Sequence, residues 1–358
     1  MTLDPVELKA RLTRRLTLAE LAALTTAVIF GAGMIALLSR RPIPGLLMDF
    51  ALFSRASGGD LQGYYYGLWG IPLFYPFASL PFNLGALAWQ LLNIGGMFFA
   101  ARLFTGKSAA LIFSYQMFVN LYFGQISGVL CFGIALMWLG LSKRNWLLAG
   151  LGLTVAVIKP QVALITGLIW LYAFVSETDD PPGHRRACWM ALIVPAAVVV
   201  ISFLIQPDWL AQTFVRLKTI PPNDEASFTT WDYIGAWGLL LLIPPLILPL
   251  NRQARLLALI TAWLVSAPYF QPWDIAALLM LLPNWLPLLS WGALLFGYPQ
   301  MPLGFLLLLT AFYIWQISPG VFRDLGLAPV RCASLGKIKF YKLQKLEHDQ
   351  QDERRADE

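Results

Sequence analysis

Of the 358 residues in this chain, 58% are hydrophobic and only 13% are charged, whereas soluble globular proteins carry about 25% charged residues. With a mean hydropathy of +0.63, this composition excludes one large soluble domain. Between the two termini, the basic residues lie mainly in short loops between apolar runs, a pattern that orients membrane proteins and argues against nucleic-acid binding.

The first elements of the chain are a basic N-terminus and an apolar run. Residues 1–20 form a basic amphipathic segment, which we place in the cytoplasm. Residues 21–39 are apolar and come close to the ~20 residues that a spanning helix needs. Because no small-residue cleavage site follows, we interpret this run as a retained signal anchor. A connection rich in Gly, Tyr, Phe and Pro then occupies residues 40–82.

Ten further apolar runs follow this connection. They cover residues 84–101, 109–122, 126–142, 146–158, 162–176, 187–205, 235–250, 256–267, 275–297 and 301–317. Several are shorter than the ~20 residues of a full crossing, so some are expected to be tilted pairs or re-entrant halves. The sequence therefore predicts an all-α fold, a polytopic membrane helix bundle of about ten transmembrane or re-entrant helices within residues 21–318. Residues 319–358 are expected to form a polar, flexible cytoplasmic tail.

Charge distribution predicts the orientation of the bundle. With the N-terminus inside, alternating crossings place four basic loops in the cytoplasm, namely those with Arg102 and Lys107, Lys143 and Arg144, Arg185 and Arg186, and Arg252 and Arg255. The outer side receives Asp49, Asp60, Asp208, Asp224, Glu225, Asp232 and Asp274, and Arg40 and Arg41 depart from the rule. This orientation requires a break at Lys159-Pro160-Gln161, because one helix over 146–176 would reverse every later loop.

The ionisable residues lie almost entirely in connections between the apolar runs. Ion-coupled transporters usually bury such residues inside their spans, so this placement favours chemistry at the membrane surface. The outer connections also carry a series of short motifs, in this order: Met48-Asp49-Phe50, Gly58-Gly59-Asp60, Tyr64-Tyr65-Tyr66, Tyr75-Pro76-Phe77, Gly124-Gln125, Lys159-Pro160, Ser266-Ala267-Pro268 and Trp273-Asp274.

In this order the motifs resemble those of the polyprenol-phosphate-mannose-dependent α-mannosyltransferases, a family of GT-C glycosyltransferases. Members of that family are similar in having an outer-loop Asp-Phe, a Tyr-Pro-Pro segment, a Gly-Gln, a later Lys-Pro and a late Ser-Pro with an aromatic-His motif. The resemblance runs through most of residues 20–290. The chain departs from it at Tyr75-Pro76-Phe77, at Ser266-Ala267-Pro268 and at Trp273-Asp274, which leaves the sugar and the acceptor open.

The resemblance implies a GT-C-like fold and a reaction in which an acceptor hydroxyl attacks the anomeric carbon of a lipid-linked sugar. That hydroxyl must lose a proton, so a carboxylate is needed as general base. Asp49 matches the family's loop aspartate and is the first candidate, with Asp60 as its rival. A solvated loop aspartate without a catalytic role is the alternative for Asp49.

The departing phosphate needs cationic stabilisation. Lys159 is the first candidate for this role and Arg55 the second, although a lysine at a helix end can also simply reach toward lipid headgroups. No zinc-ligand or redox spacing appears among the three cysteines and two histidines, so we expect neither a metal nor a cofactor.

Four further residues are candidates for the sugar or acceptor pocket: Gln125, Tyr75, Trp273 and Asp274. Two of them also have an ordinary explanation. Gln125 can be a helix-start residue, while Trp273 and the tyrosines of Tyr64-Tyr65-Tyr66 can belong to an interfacial aromatic belt.

The sequence thus predicts a plasma-membrane hexosyltransferase that takes a sugar such as mannose from a polyprenyl-phosphate donor. Transfer to a glycan or glycolipid acceptor would occur on the extracytoplasmic face, with inversion and with Asp49 as base. Its partners are the bilayer, this donor and this acceptor, and no nucleic acid. A lipid or polymer transporter, predicting polar residues along a path through the spans, and a membrane scaffold without chemistry are the alternatives.

Overall fold

The structure, a computed structural model, describes residues 5–41, 43–176, 181–217, 234–267, 272–282, 286–291, 310 and 314. These residues form α-helices and short 3-10 turns without any β-strand, which confirms the predicted all-α fold class. The helices are α1 (Pro5–Thr13), α2 (Leu18–Leu38), α3 (Met48–Ser57), α4 (Ile71–Ala78), α5 (Phe82–Thr105), α6 (Ala109–Ile112), α7 (Tyr115–Phe123), α8 (Ser127–Ser142), α9 (Trp146–Ala156), α10 (Pro160–Ser176), α11 (Pro181–Ala191), α12 (Ile193–Ile205), α13 (Trp209–Leu217), α14 (Ile243–Ile247), α15 (Arg252–Ser266) and α16 (Ala276–Leu279).

Three helical stretches in the described residues are long and apolar enough to cross a bilayer: Leu18–Leu38, Phe82–Thr105 and Pro182–Ile205. Together α7 and α8 are also long and apolar enough, but they are bent by 118° at the break between them, as in a broken span or a re-entrant loop. Other predicted runs form shorter apolar helices, among them α9 and α10. The last predicted run, 301–317, lies outside the described residues except for Thr310 and Ile314, as does the tail.

The bend between α7 and α8 is built around a glycine. Gly124 ends α7 with φ +70°, a left-handed conformation that glycine adopts without a steric penalty. A Cβ at this position would lie 2.8 Å from the Cβ of Phe50. The N-cap residue of α8, Ile126, has no side chain that can accept a hydrogen bond from the first turn. The side chain of Asn93 in α5 accepts from the backbone N–H of Gly128 at 2.9 Å instead. The bend therefore depends on tertiary contacts that hold it against α3 and α5.

A second break separates α9 from α10, as the sequence predicted. α9 ends at Ala156, and Pro160 starts α10, a position where the missing proline N–H costs no hydrogen bond. The backbone carbonyl of Ile158 accepts from the N–H of Gly67 at 2.9 Å. This hydrogen bond attaches the connection between α3 and α4, which contains Gly67, to the backbone beside Lys159.

Hydrogen bonds show which segments share one end of the bundle. Arg11 of α1 donates to the carbonyls of Leu103 and Phe104 at the end of α5, and Arg252 donates to the carbonyl of Val175 at the end of α10. The short turn between α8 and α9 makes these two helices an antiparallel hairpin. Followed from α1 through α10, the chain places the turns with Arg102 and Lys107 and with Lys143 and Arg144 at this end, which we call the basic end. Asp49, Gln125 and Lys159 lie at the opposite end, together with the turn that contains Arg40 and Arg41.

Glycines allow α5 and α8 to pack backbone to backbone. A Cβ on Gly96 would lie 2.3 Å from the carbonyl oxygen of Gly128, whereas a Cβ on Gly95 would meet no atom within 4 Å. Close approach through small residues is a common way to associate helices in a membrane, where no hydrophobic force draws them together.

This pair of adjacent glycines gives a matched test of the packing. Gly96→Ala should lower the thermal midpoint, because forcing an atom into a packed contact costs about 1–3 kcal/mol. Gly95→Ala should leave the midpoint unchanged or raise it, because alanine favours a helix by about 1 kcal/mol over glycine. Thermal unfolding of both variants in one detergent measures the difference. Equal shifts would contradict the close approach.

Candidate functional site

Asp49 is positioned by the aromatic packing of α3. The helix begins at Met48 after Leu47, whose backbone N–H donates to the carbonyl of Tyr122 at 2.8 Å. Phe53 on the same helix is buried and stacks on Phe74 with 4.3 Å between ring centres. With this face of α3 anchored in the core, the side chain of Asp49 in the first turn is half-buried next to the α7–α8 bend.

Gln125 at this bend binds the carboxylate directly. Its side-chain Nε2 donates to Oδ2 of Asp49, and only 2% of the residue is exposed. The other amide atom, Oε1, is buried without a hydrogen-bond partner in the part of the chain that the structure describes. Gln125 thus orients one oxygen of Asp49, and its own Oε1 can still accept a hydrogen bond.

Burial raises the pKa of Asp49 from its usual value near 3.8 to about 7. The loss of hydration is the main cause, and the negative charge of Asp274 adds to it. The positive charge of Lys159 and the hydrogen bond from Gln125 act in the opposite direction. A carboxylate that titrates near neutral pH is well matched to general-base catalysis.

Lys159 and Asp274 form a buried ion pair. Nζ of Lys159 lies 2.5 Å from Oδ1 of Asp274, and the residues are only 3% and 1% exposed. The lysine comes from the break between α9 and α10, and the aspartate from the 3-10 turn Pro272–Ile275. The ammonium also lies 6.0 Å from the centre of the Tyr66 ring, within reach of a cation–π interaction.

Asp49, Lys159 and Asp274 together constitute what we call the charged cluster. Its members come from distant parts of the chain, yet both Lys159 and Asp274 act electrostatically on Asp49. When all three groups are ionised, the cluster carries one net negative charge, and the ammonium of Lys159 contacts the carboxylate of Asp274. Such an arrangement can accept a proton at Asp49 and can present a cation to an anionic ligand.

Three other predicted site residues, Arg55, Asp60 and Tyr75, have exposed side chains, unlike Lys159 and Asp274. Arg55 and Asp60 pair with each other at 3.9 Å, with side chains 56% and 51% exposed. Tyr75 of α4 is also exposed. The backbone of Trp273 belongs to the turn Pro272–Ile275, but its side chain lies outside the described residues. The structure therefore brings together Asp49, Gln125, Lys159 and Asp274.

Two tyrosines of the connection before α4 contribute to the packing of the protein core. Tyr64 and Tyr66 are buried and do not line the interface as an exposed belt. The hydroxyl of Tyr64 donates to the carbonyl of Gly67 at 2.9 Å, and the Tyr66 ring approaches Lys159. Sequence reasoning assigned Tyr66 no role at the site; its signal was three consecutive tyrosines next to several glycines.

A cavity of about 630 Å³ opens beside this connection. Its wall is mostly apolar and is lined by Ala56, Ser57, Gly59, Leu61, Leu68, Trp69, Ile71, Pro72, Thr154, Val198, Ile201, Ser202, Ile205 and Gln206. Trp69 donates to the carbonyl of Thr154 at 3.1 Å, and Gly67 donates to that of Ile158. The segment that contributes Leu68, Trp69, Ile71 and Pro72 to the cavity wall is therefore attached to the backbone next to Lys159.

Among the described residues, no three His, Cys, Asp or Glu side chains lie close enough to hold a metal ion.

Comparison with known families gives one match. The model of glycosyltransferase family 87 matches residues 64–283. This region includes Gln125, Lys159 and Asp274, whereas Asp49 precedes it. Neither the curated proteins nor the solved structures give a match to the chain.

Proposed function

Because this chain belongs to glycosyltransferase family 87, a GT-C-type family of membrane glycosyltransferases, we propose that it transfers a hexose such as mannose from a polyprenyl-phosphate donor. The acceptor is a glycan or a glycolipid. Family membership favours this reaction over the transporter and the scaffold. The observation that carries the proposal is the convergence of Asp49 and its partner Gln125 on the buried pair of Lys159 and Asp274.

In the proposed reaction Asp49 takes the proton of the attacking acceptor hydroxyl. The hydroxyl oxygen forms a bond to the anomeric carbon, the bond from that carbon to the donor phosphate oxygen breaks, and polyprenyl phosphate departs with the electron pair. One displacement inverts the anomeric configuration. Asp49 suits the role because Gln125 holds one oxygen and because burial makes the carboxylate a better base than a solvated one.

Lys159 is the proposed partner of the donor phosphate. Charge accumulates on this group as the bond to the sugar breaks, and a positioned ammonium stabilises it most where water is excluded. Lys159 meets this condition, since it is almost entirely buried. Arg55 is the second candidate, because the residues directly after it, Ala56 and Ser57, line the apolar cavity.

The charge distribution supports an extracytoplasmic site. Basic turns concentrate at the basic end of the bundle, and cytoplasmic loops of membrane proteins are enriched in Lys and Arg. In chain order Asp49 follows α2, Gln125 precedes α8 and Lys159 follows α9, at the ends of these helices away from the turns with Arg102, Lys107, Lys143 and Arg144. In a plasma membrane the cluster would then face the extracytoplasmic side, where lipid-linked sugars and glycolipid acceptors can meet it.

The apolar cavity is the proposed site for the first part of the polyprenyl chain. Ser202→Phe would fill it from α12, whereas Val200→Phe would place the same ring on the exposed side of that helix. Since each buried CH₂ contributes about 0.8 kcal/mol, displacing two of them should raise the donor KM about tenfold. Steady-state kinetics with both variants tests this. An unchanged KM for Ser202→Phe would remove the cavity from the donor site.

The function itself is tested with purified protein in nanodiscs. Polyprenyl phosphate carrying a radiolabelled hexose is supplied with a glycolipid extract, and transfer of label to the extract is followed. We expect labelled product with at least one hexose and none with Asp49→Asn. Absence of transfer across a panel of hexoses, or equal transfer by Asp49→Asn, would overturn the proposal.

A further inference from the structure

We propose that Asp274 is a positioning residue, which fixes the ammonium of Lys159 and thereby sets the charge that faces Asp49. This inference rests on the proposed function in that Asp49 is the base. Asp274 touches neither donor nor acceptor in this account, and acts only through its two charged neighbours.

The backbone on either side of Lys159 is fixed, but its side chain depends on Asp274. The carbonyl of Ile158 accepts from Gly67, and that of Lys159 accepts from the N–H groups of Val162 and Ala163 at 3.0 and 3.1 Å. These bonds hold the chain at the break. The ammonium lies at the end of a flexible stem, and its contact with Asp274 at 2.5 Å selects one orientation of that stem.

One lysine serves two carboxylates in the charged cluster, so the two carboxylates are coupled. The positive charge of Lys159 lowers the pKa of Asp49, and the negative charge of Asp274 raises it, with the lysine acting more strongly. If Asp274 loses its charge, the positive charge of Lys159 acts on Asp49 without the opposing negative charge of Asp274. The pKa of Asp49 should then fall, and Asp49 becomes a weaker base.

Within the described part of the chain, the following other titratable groups lie on the elements around the cluster. On α3 itself, Arg55 is exposed and paired with Asp60. The packed helices α4 and α7 contribute Tyr75, Tyr115 and Tyr122. Tyr66 covers Lys159, and Cys131 of α8 lies within the electrostatic reach of Asp274. Of these groups, Lys159 and Asp274 are the ones whose charges act on Asp49.

The inference can be tested without any substrate. Infrared difference titration of the protein in nanodiscs should show a carboxyl group that titrates near neutral pH and is missing in Asp49→Asn. In Asp274→Asn its midpoint should fall by at least about one pH unit, the size expected for an uncompensated neighbouring cation. Asp274→Glu, which keeps the charge, should restore the midpoint, and Asp60→Asn should not change it.

Kinetics separates the inference from the proposed function. The acid limb of the pH profile for transfer should move to lower pH in Asp274→Asn by the same amount as the infrared midpoint, a shift that a merely structural role would not produce. An unmoved midpoint in Asp274→Asn would overturn the inference, while the loss of activity in Asp49→Asn would still uphold the base. Full activity of Asp49→Asn would instead overturn the proposed function.

A second variant covers the case in which Asp274→Asn does not fold, because the buried Lys159 loses the carboxylate that lies 2.5 Å from its ammonium. The double variant Lys159→Gln with Asp274→Asn removes both charges. Since the lysine acts more strongly on Asp49 than Asp274 does, the infrared midpoint should rise above that of the unmodified protein. A midpoint that stays unchanged or falls would also contradict the inference.

Discussion

Asp49→Asn is expected to reduce the rate of sugar transfer by about 10²–10⁴-fold, the usual contribution of a general base. The substitution keeps the shape of the side chain and an oxygen that can still accept from Gln125, but it removes the group that takes the proton. The donor KM should change little, because the proposed binding contacts lie on Lys159 and in the apolar cavity. Steady-state transfer kinetics measures both quantities.

Asp60→Asn is the matched control, since Asp60 is the rival base and lies exposed in its pair with Arg55. Normal turnover by Asp49→Asn together with loss of activity in Asp60→Asn would assign the base to Asp60.

Thermal stability provides a check of folding. The raised pKa of Asp49 means that the folded protein binds more protons than the unfolded chain between about pH 4 and pH 7. Stability from this group therefore falls as pH rises through that window, and Asp49→Asn should melt at or above the unmodified protein at alkaline pH.

Lys159→Ala should abolish transfer and also destabilise the protein. Removing the lysine leaves the buried carboxylate of Asp274 without its counter-ion, and breaking a buried ion pair in this way costs about 3–5 kcal/mol. The same change removes the cation proposed to stabilise the departing phosphate. Lys159→Arg retains a cation and should preserve part of the activity, although its planar group cannot reproduce the geometry of an ammonium.

The double variant Lys159→Ala with Asp274→Ala separates these two effects. Replacing a buried ion pair by apolar side chains of similar volume is often neutral for stability. Because the two alanines leave a cavity, the thermal midpoint should recover in part. Transfer should not recover, because the phosphate still lacks its cation. A stable and fully active double variant would show that Lys159 has a structural role only.

Hydropathy predicted the helices that cross the bundle because burial in lipid requires long apolar runs. Residues 126–142 were expected as an apolar run, and α8 covers Ser127–Ser142. The break at Lys159 was predictable for a related reason, since a lysine followed by a proline fits poorly inside a spanning helix. The helices α3 and α4 within residues 40–82 were not predicted. They are short and have no clear hydrophobic periodicity that would predict them. The stacking of Phe53 on Phe74 stabilises both helices.

The sequence could place the charged residues at one end of the bundle but could not pair them. Lys159 and Asp274 are 115 residues apart, and no local pattern selects one outer carboxylate over another as the partner of a lysine. The sequence likewise left open whether Gln125 was an ordinary helix-start residue. Its donation to Asp49 depends on the 118° bend between α7 and α8, which is held by contacts from α3 and α5.

The location of the bound donor tests the central claim most directly. A cryo-EM structure of Asp49→Asn with polyprenyl-phosphate mannose would trap the donor before transfer. A phosphate oxygen should lie about 2.8 Å from Nζ of Lys159, as in a charge-assisted hydrogen bond. The sugar should point toward residue 49, and the first isoprenoid units should occupy the cavity beside Trp69. A headgroup bound at the basic end, beside Arg102, would contradict the account.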